Sequence, residues 1–180
     1  MRIWVDADAC PGPVRDILLR ASQRLRVPTV FVANKRLSLP ASELVSTVQV
    51  GAGLDVADRH IAASAQAGDL AITQDIPLAA LLVPKGVVVM DPRGELFTEE
   101  NIDERLSVRN FMQELRDSGV TTGGPSGFSA QDRQRFAISR LTAAPAASIR
   151  NSPGLPRSMV KASARYISAT VKMACFRTAC

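Results

Sequence analysis

The sequence predicts an α/β fold around a mostly parallel sheet, and three observations carry that prediction. Short β-rich runs alternate with helical patterns along the 180 residues, the signature of stacked βαβ units. Two apolar runs stop on aspartate in the same way, Arg2-Ile3-Trp4-Val5-Asp6-Ala7-Asp8 and Asp69-Leu70-Ala71-Ile72-Thr73-Gln74-Asp75. A third acidic pair, Asp55 and Asp58, lies between them. Neighbouring parallel strands would gather these carboxylates at the carboxyl edge of one sheet, where open α/β folds place their ligands.

Ile3 to Asp6 is a near-continuous apolar run, as expected of a strand covered on both faces. Cys10-Pro11-Gly12-Pro13 breaks it, and Pro13 suits the first turn of a helix, where an N–H has no partner anyway. Val14, Ile17, Leu18, Ala21 and Leu25 recur at helical spacing, which gives that helix one buried face. Thr29 to Ala33 is the second strand. Past Asn34-Lys35-Arg36 and Pro40, a short helical candidate near Ser42 leads to a third strand, Thr47 to Val50. Gly51-Ala52-Gly53 turns into a helix from Asp55 to Ala67, ended by Gly68.

Leu70 to Thr73 is the fourth strand, Ile76 to Leu82 a short helix containing Pro77, and Val87 to Met90 the fifth strand. Asp91-Pro92-Arg93-Gly94 turns into Glu95-Leu96-Phe97, a small hairpin at the sheet edge. Thr98 is placed to cap a long helix to about Asp117, with Val108, Phe111, Met112 and Leu115 as its core face. The stretch Thr121 to Phe128 is too rich in glycine for regular structure. Ser129 opens a final helix, with Asp132 at the capping-box distance.

Charge divides the chain. Residues 1–136 hold 15 Lys and Arg against 17 Asp and Glu, so this body carries a net −2, while 137–180 hold the remaining seven basic residues and no acid. The basic pI of 9.6 therefore belongs to the tail and does not mark the body as a nucleic-acid binder. Rich in Ala, Ser and Pro, the tail reads as disordered or weakly helical, either an appendage or a basic arm for RNA or a membrane surface. The body has the size of one domain with a single core. It contains no apolar run long enough to span a membrane, and Asp6 and Asp8 interrupt the place where a signal peptide would continue, so the cytoplasm is the default. Cys10 is the body's one cysteine, which leaves nothing for a disulfide framework or a zinc ribbon.

Asp6 and Asp8 are two apart, so an extended strand sends both side chains to one face. There they repel unless a cation or a shared proton offsets the charge; the plain alternative has Asp8 capping the turn before Pro11. Asp55 and Asp58 are neighbours at a helix start, where the dipole favours negative charge. An N-terminal cap would account for Asp55 better than for Asp58. Asp75 follows Thr73 and Gln74 at the end of a buried strand. Mg²⁺ and Mn²⁺ take oxygen ligands, so three or four aspartates without an obligatory histidine fit metal-assisted phosphodiester hydrolysis.

His60 lies about 200° around the helix from Asp58 and points away. Groups placed for an anionic substrate are Lys35 and Arg36 after the second strand, Arg109 with Arg105 one helical turn before it, and Gly123-Gly124 as a backbone N–H nest. Each has a plain reading as well: a solvated loop, pairing with Glu104 and its neighbours, and a turn.

Four segments together resemble a known family: Trp4-Val5-Asp6-Ala7-Asp8-Ala9-Cys10-Pro11, Gly53-Leu54-Asp55-Val56-Ala57-Asp58, Gly68-Asp69-Leu70-Ala71-Ile72-Thr73-Gln74-Asp75-Ile76-Pro77-Leu78-Ala79 and Thr122-Gly123-Gly124-Pro125. They are similar, in this order, to the bacterial YaiI/YqxD family related to PIN-like domains, and the resemblance covers about residues 1 to 136. It implies a three-layer α/β/α sandwich with a metal-dependent nuclease site; the substrate expected for such a site here is RNA or another phosphoester. The metal-binding and catalytic roles of that site fall on Asp6, on Asp58 and on Asp75 with Thr73, and Asp8 and Asp55 become supporting acids.

Two other readings stand beside it. Asp6-Ala7-Asp8 behind an apolar strand also matches the haloacid-dehalogenase pattern, in which the first Asp is a phosphorylated nucleophile and a later lysine, here Lys85, assists. A non-catalytic metal- or RNA-binding regulatory module would keep the same sheet and acids without turnover.

Overall fold

Six strands form one sheet in the computed structural model, which describes residues 1–51, 53, 55–119, 123 and 126–139. The strands are β1 (Ile3–Asp6), β2 (Thr29–Ala33), β3 (Val45–Gln49), β4 (Leu70–Ile72), β5 (Val88–Met90) and β6 (Leu96–Phe97). Their order is β3-β2-β1-β4-β5-β6; the first five run parallel and only β6 is antiparallel, closing the edge as the expected hairpin. The chain winds outward from β1 in one direction and then returns to β1's other side. The order therefore reverses between β1 and β4, and that reversal opens a crevice at their carboxyl ends.

Parity along the strands decides what each face carries. Ile3 and Val5 of β1 and Leu70 and Ile72 of β4 pack with Val14, Ile17 and Leu18 of α1 (Gly12–Leu25) and with Phe136 of the final helix, α5 (130–139). Trp4 and Ala71 face the other way, onto Ala57 and Ile61 of α2 (Val56–Ser64), Leu78 and Leu82 of α3 (Ile76–Leu82) and Ile102 of α4 (Ile102–Asp117). Helices thus cover both faces of the sheet and make three layers. Asp6 has the parity of Trp4, and Thr73 that of Ala71, so both reach the edge on the α2–α3 side.

Several local expectations hold for the reasons given in the sequence. Pro13 sits in the first turn of α1, and Arg26 ends that helix in the left-handed region at φ 55°. At the start of α5, Ser129 N–H donates to Asp132 Oδ2 at 2.9 Å and Asp132 N–H to Ser129 Oγ at 3.1 Å, a reciprocal capping box. Helix α5 is described through residue 139. The remainder of the expected tail, 140–180, lies outside the described residues.

Other expectations are corrected. The segment near Ser42 is a turn in which Leu44 N–H donates to Ser42 Oγ, and β3 begins earlier, at Val45. Helix α2 stops at Ser64, before Gly68, because Ala65 is already extended. Helix α4 starts at Ile102, not after Thr98: the Asn101 side chain takes the Thr98 N–H, and the Thr98 carbonyl accepts from Asn101 and Ile102. The expected core face of α4 is corrected in part, since Val108 and Phe111 are 55% and 58% exposed while Met112 and Leu115 are half-buried. Ile102, in the first turn, is the α4 residue buried in the core, and beyond it Val108 and Phe111 face solvent.

Candidate functional site

Five carboxylates line one cavity of about 430 Å³ at the β1/β4 reversal: Asp6, Asp8, Asp55, Asp58 and Asp75, together with Ala9, Asn34, Ala57 and Gln74. Each arrives on a different device. Asp6 is the last residue of β1 and is buried. Asp8 lies just beyond, exposed, and its Oδ2 accepts the Asn34 N–H at 2.7 Å, which ties the β1 loop to the end of β2. It does not cap the turn before Pro11.

Asp75 precedes α3, and its Oδ1 accepts the Leu78 N–H at 2.7 Å. Asp75 is thus both a helix cap and a wall of the cavity, with its second oxygen left over. Asp55 occupies the N-cap position of α2 but makes no side-chain cap; its backbone is left-handed at φ 59°, a region aspartate tolerates better than most residues. Asp58 sits in the first turn of the same helix.

Thr73 joins the two strand ends. Its hydroxyl donates to Asp6 Oδ2 at 3.1 Å and accepts the Asp75 N–H at 3.0 Å. Burial raises the Asp6 carboxyl above its ordinary value, the Thr73 hydroxyl and local backbone N–H groups oppose that, and Asp8 adds to it. Asp58 is pushed up to about 6, first by burial and then by Asp75, Asp6, Asp55 and Asp8 in turn. That ordering is itself evidence that the five acids share one field.

The donor set is all oxygen, which suits a hard cation over a soft one. Asn34 adds to it: its Oδ1 is buried and has no hydrogen-bond partner among the described residues, an orphan acceptor on a residue that lines the cavity. No three His, Cys, Asp or Glu side chains among the described residues are gathered closely enough to hold an ion directly. Part of the reason is local, since Thr73 engages one oxygen of Asp6 and α3 one oxygen of Asp75. A cation in this pocket could be held directly by no more than one or two carboxylates, with water completing its shell.

Lys35 and Arg36 are exposed at the same edge, but they line a second cavity of about 250 Å³ with Leu37, Thr47, Val48 and Gln49. Arg109 is not brought to either cavity; it points from α4 toward Asn110 at 3.2 Å. Arg105 is engaged with Glu95 at 2.7 Å and lies over the Phe97 ring. Gly123 is exposed and lines neither cavity, and Gly124 lies outside the described residues. His60 packs edge-on to Trp4, away from the acids, as its helical position implied. The Cys10 thiol is buried and pushed up to about 12, so it is no nucleophile.

The lysine that the dehalogenase reading needs stands elsewhere. Lys85 precedes β5, so it is at the amino end of the sheet, where its Nζ donates to the Ala62 carbonyl. Asp69 precedes β4 at that same end and accepts from Arg2 N–H, Trp4 Nε1 and Gln66 N–H. Asn34 and Gln74 were not singled out as site residues in the sequence. Asn34 was findable, because it follows β2 directly and β2 neighbours β1.

The model of the YaiI/YqxD family, a family described as uncharacterised, matches residues 4–143. The chain is 82% identical over 137 residues to a UPF0178 protein of Myxococcus xanthus, covering 76% of this chain and 90% of the relative. It is 61% identical over 136 residues to a UPF0178 protein of Syntrophobacter fumaroxidans (76% and 89%) and 58% identical over 139 residues to one of Geobacter metallireducens (77% and 90%). No solved structure matches. No helix among the described residues is long and apolar enough to cross a membrane. On the family match and these identities, the chain belongs to the YaiI/YqxD family.

Proposed function

We propose that the acidic cavity binds Mg²⁺ or Mn²⁺ and that the protein is a PIN-like phosphodiesterase acting on RNA. The observation that supports this best is the meeting of Asp6, Asp8, Asp55, Asp58 and Asp75 around one open cavity at the sheet's reversal point. A cation bound there would supply charge neutralisation for a phosphoryl group and lower the pKa of water.

The chain's own residues have separable tasks. Asp58 and Asp6 would hold the cation. Thr73 positions Asp6 and the Asp75 backbone at once, so that the ends of β1 and β4 act as one wall. Asp75 is spent partly on α3, which makes it a rigid outer carboxylate; Asp8, anchored on Asn34, is a supporting acid.

The experiment is Mn²⁺ calorimetry on the full chain beside Asp58→Asn, followed by incubation of both with single-stranded RNA. Asp58 makes no structural hydrogen bond among those described, so this exchange removes charge and little else. Binding and cleavage by the parent, lost in the variant, support the reading. Parent protein that binds no Mn²⁺ even in the presence of RNA defeats it.

A further inference from the structure

We infer that the cavity bounded by Lys35, Arg36, Thr47 and Gln49 is an anion subsite for a second phosphate of the strand whose scissile phosphate occupies the acidic cavity. This rests on the phosphodiesterase reading above and adds the part of the substrate that the acids cannot hold. Five carboxylates repel a polyanion, so a strand must be gripped by cations beside them.

Lys35 and Arg36 are placed for that. They sit at the carboxyl ends of β2 and β3, and Asn34, one residue earlier and about 3.8 Å away along the backbone, lines the acidic cavity. The Asp8 carboxylate accepts the Asn34 N–H at 2.7 Å, which fixes the start of the loop that carries Lys35 and Arg36.

The two cations are also uncommitted. Neither Lys35 nor Arg36 has a side-chain hydrogen-bond or ion-pair partner among the described residues, unlike Arg93 with Asp132 and Arg105 with Glu95. The Thr47 hydroxyl and Gln49 amide add neutral donors from the edge strand β3; by strand parity they lie on the α1 face, so the bound RNA would pass over the carboxyl edge of the sheet between the two cavities. No aromatic side chain lines either cavity, so the grip is on phosphate and sugar without base stacking. The substrate class is a phosphodiester strand with at least one phosphate beyond the scissile one, not a mononucleotide.

The test is fluorescence anisotropy of a labelled single-stranded RNA of about twelve nucleotides on the full chain, with Ca²⁺ in place of Mn²⁺ to keep the strand uncut while it binds. The parent is compared with the double variant Lys35→Ala, Arg36→Ala and with Arg20→Ala, Arg24→Ala, which removes the same charge from α1. The Lys35/Arg36 variant is expected to bind at least about tenfold more weakly, and its salt slope to fall by roughly 0.7, the value for one phosphate of a single strand. The α1 variant should stay within about twofold of the parent.

Mn²⁺ calorimetry on the Lys35/Arg36 variant should be unchanged. Equal RNA binding by that variant and the parent, with Mn²⁺ binding intact, overturns the subsite and leaves the acidic site standing. Competition by a mononucleotide as effective as by the strand overturns it too. Loss of Mn²⁺ binding in the parent would instead defeat the phosphodiesterase reading.

Discussion

The Thr73 hydroxyl donates to Asp6 across 67 residues of sequence, at 3.1 Å, and the same oxygen accepts the N–H of Asp75. One side chain therefore sets the spacing of the two strand ends that wall the acidic cavity. A hydroxyl at this position is needed as donor and acceptor together, which valine of similar shape cannot supply.

Thr73→Val should lower stability by about 1.5–3 kcal/mol, the range for a hydrogen bond to a charged partner. It should also weaken Mn²⁺ binding, because the buried Asp6 would lose the group that opposes its raised pKa. Thr73→Ser should restore most of both. Thermal denaturation with Mn²⁺ calorimetry on the three proteins checks this, and a serine variant no better than valine would contradict it.

Asp58 makes the metal-free protein sensitive to pH. Its folded value is raised to about 6 from an ordinary 3.8, so the folded state binds a proton the unfolded state has released. Stability from this group is thus greatest below about 4, falls as pH rises to about 6, and is level above. Because the side chain is only partly buried, solvent screening holds the effect to about 1 kcal/mol. Asp58→Asn should flatten that slope and stabilise the metal-free protein at pH 7, read by denaturant unfolding at pH 4, 5, 6 and 7. Mn²⁺ affinity of the parent should rise with pH through about 6, since the ligand must lose its proton.

Much of this site was legible because strand endings and period-2 alternation are local. Asp6 and Asp75 were readable as strand-end acids, and parity alone sends Asp6 and Thr73 to the same face. The left-handed backbone at Asp55, which frees its side chain from capping, has no signature in the sequence. Nor does the engagement of Arg109 with Asn110, because spacing on a helix does not say which face meets a neighbour. The α4 pattern misled for the same reason: Val108 and Phe111 mark an apolar stripe, but only packing decides whether a stripe is covered. Asn34 entered the site through the adjacency of β2 and β1, a fact of sheet order that no single segment contains.

Asp69 stands at the opposite edge from the acidic cavity and has a structural task. Its two oxygens accept from Arg2 N–H at 2.8 Å, Trp4 Nε1 at 3.1 Å and Gln66 N–H at 3.1 Å, which locks the starts of β1 and β4 together. Asp69→Ala should cost about 2–4 kcal/mol, since the buried indole N–H is left without a partner. Mn²⁺ binding by the folded fraction should be unaffected. An Asp69→Ala protein as stable as the parent would contradict that assignment.

Gly94 links the β5–β6 hairpin to α5. At φ 88° it occupies a region open to glycine, and an added Cβ would meet the backbone of Arg135 and Phe136 at 2.8 Å. The Arg93–Asp132 ion pair at 2.9 Å and the fully buried Phe136 sit beside this contact, so α5 cannot retreat without uncovering its anchor. Gly94→Ala combines left-handed strain of roughly 1–2 kcal/mol with displacement of the helix. At about 2–4 °C per kcal/mol for a chain of this size, Tm should fall by at least about 4 °C. Arg93→Ala, which removes the ion pair and the side chain's bond to the Ser126 carbonyl without touching the backbone, should cost less. If the two variants melt together, close backbone packing is not what holds α5 on the sheet.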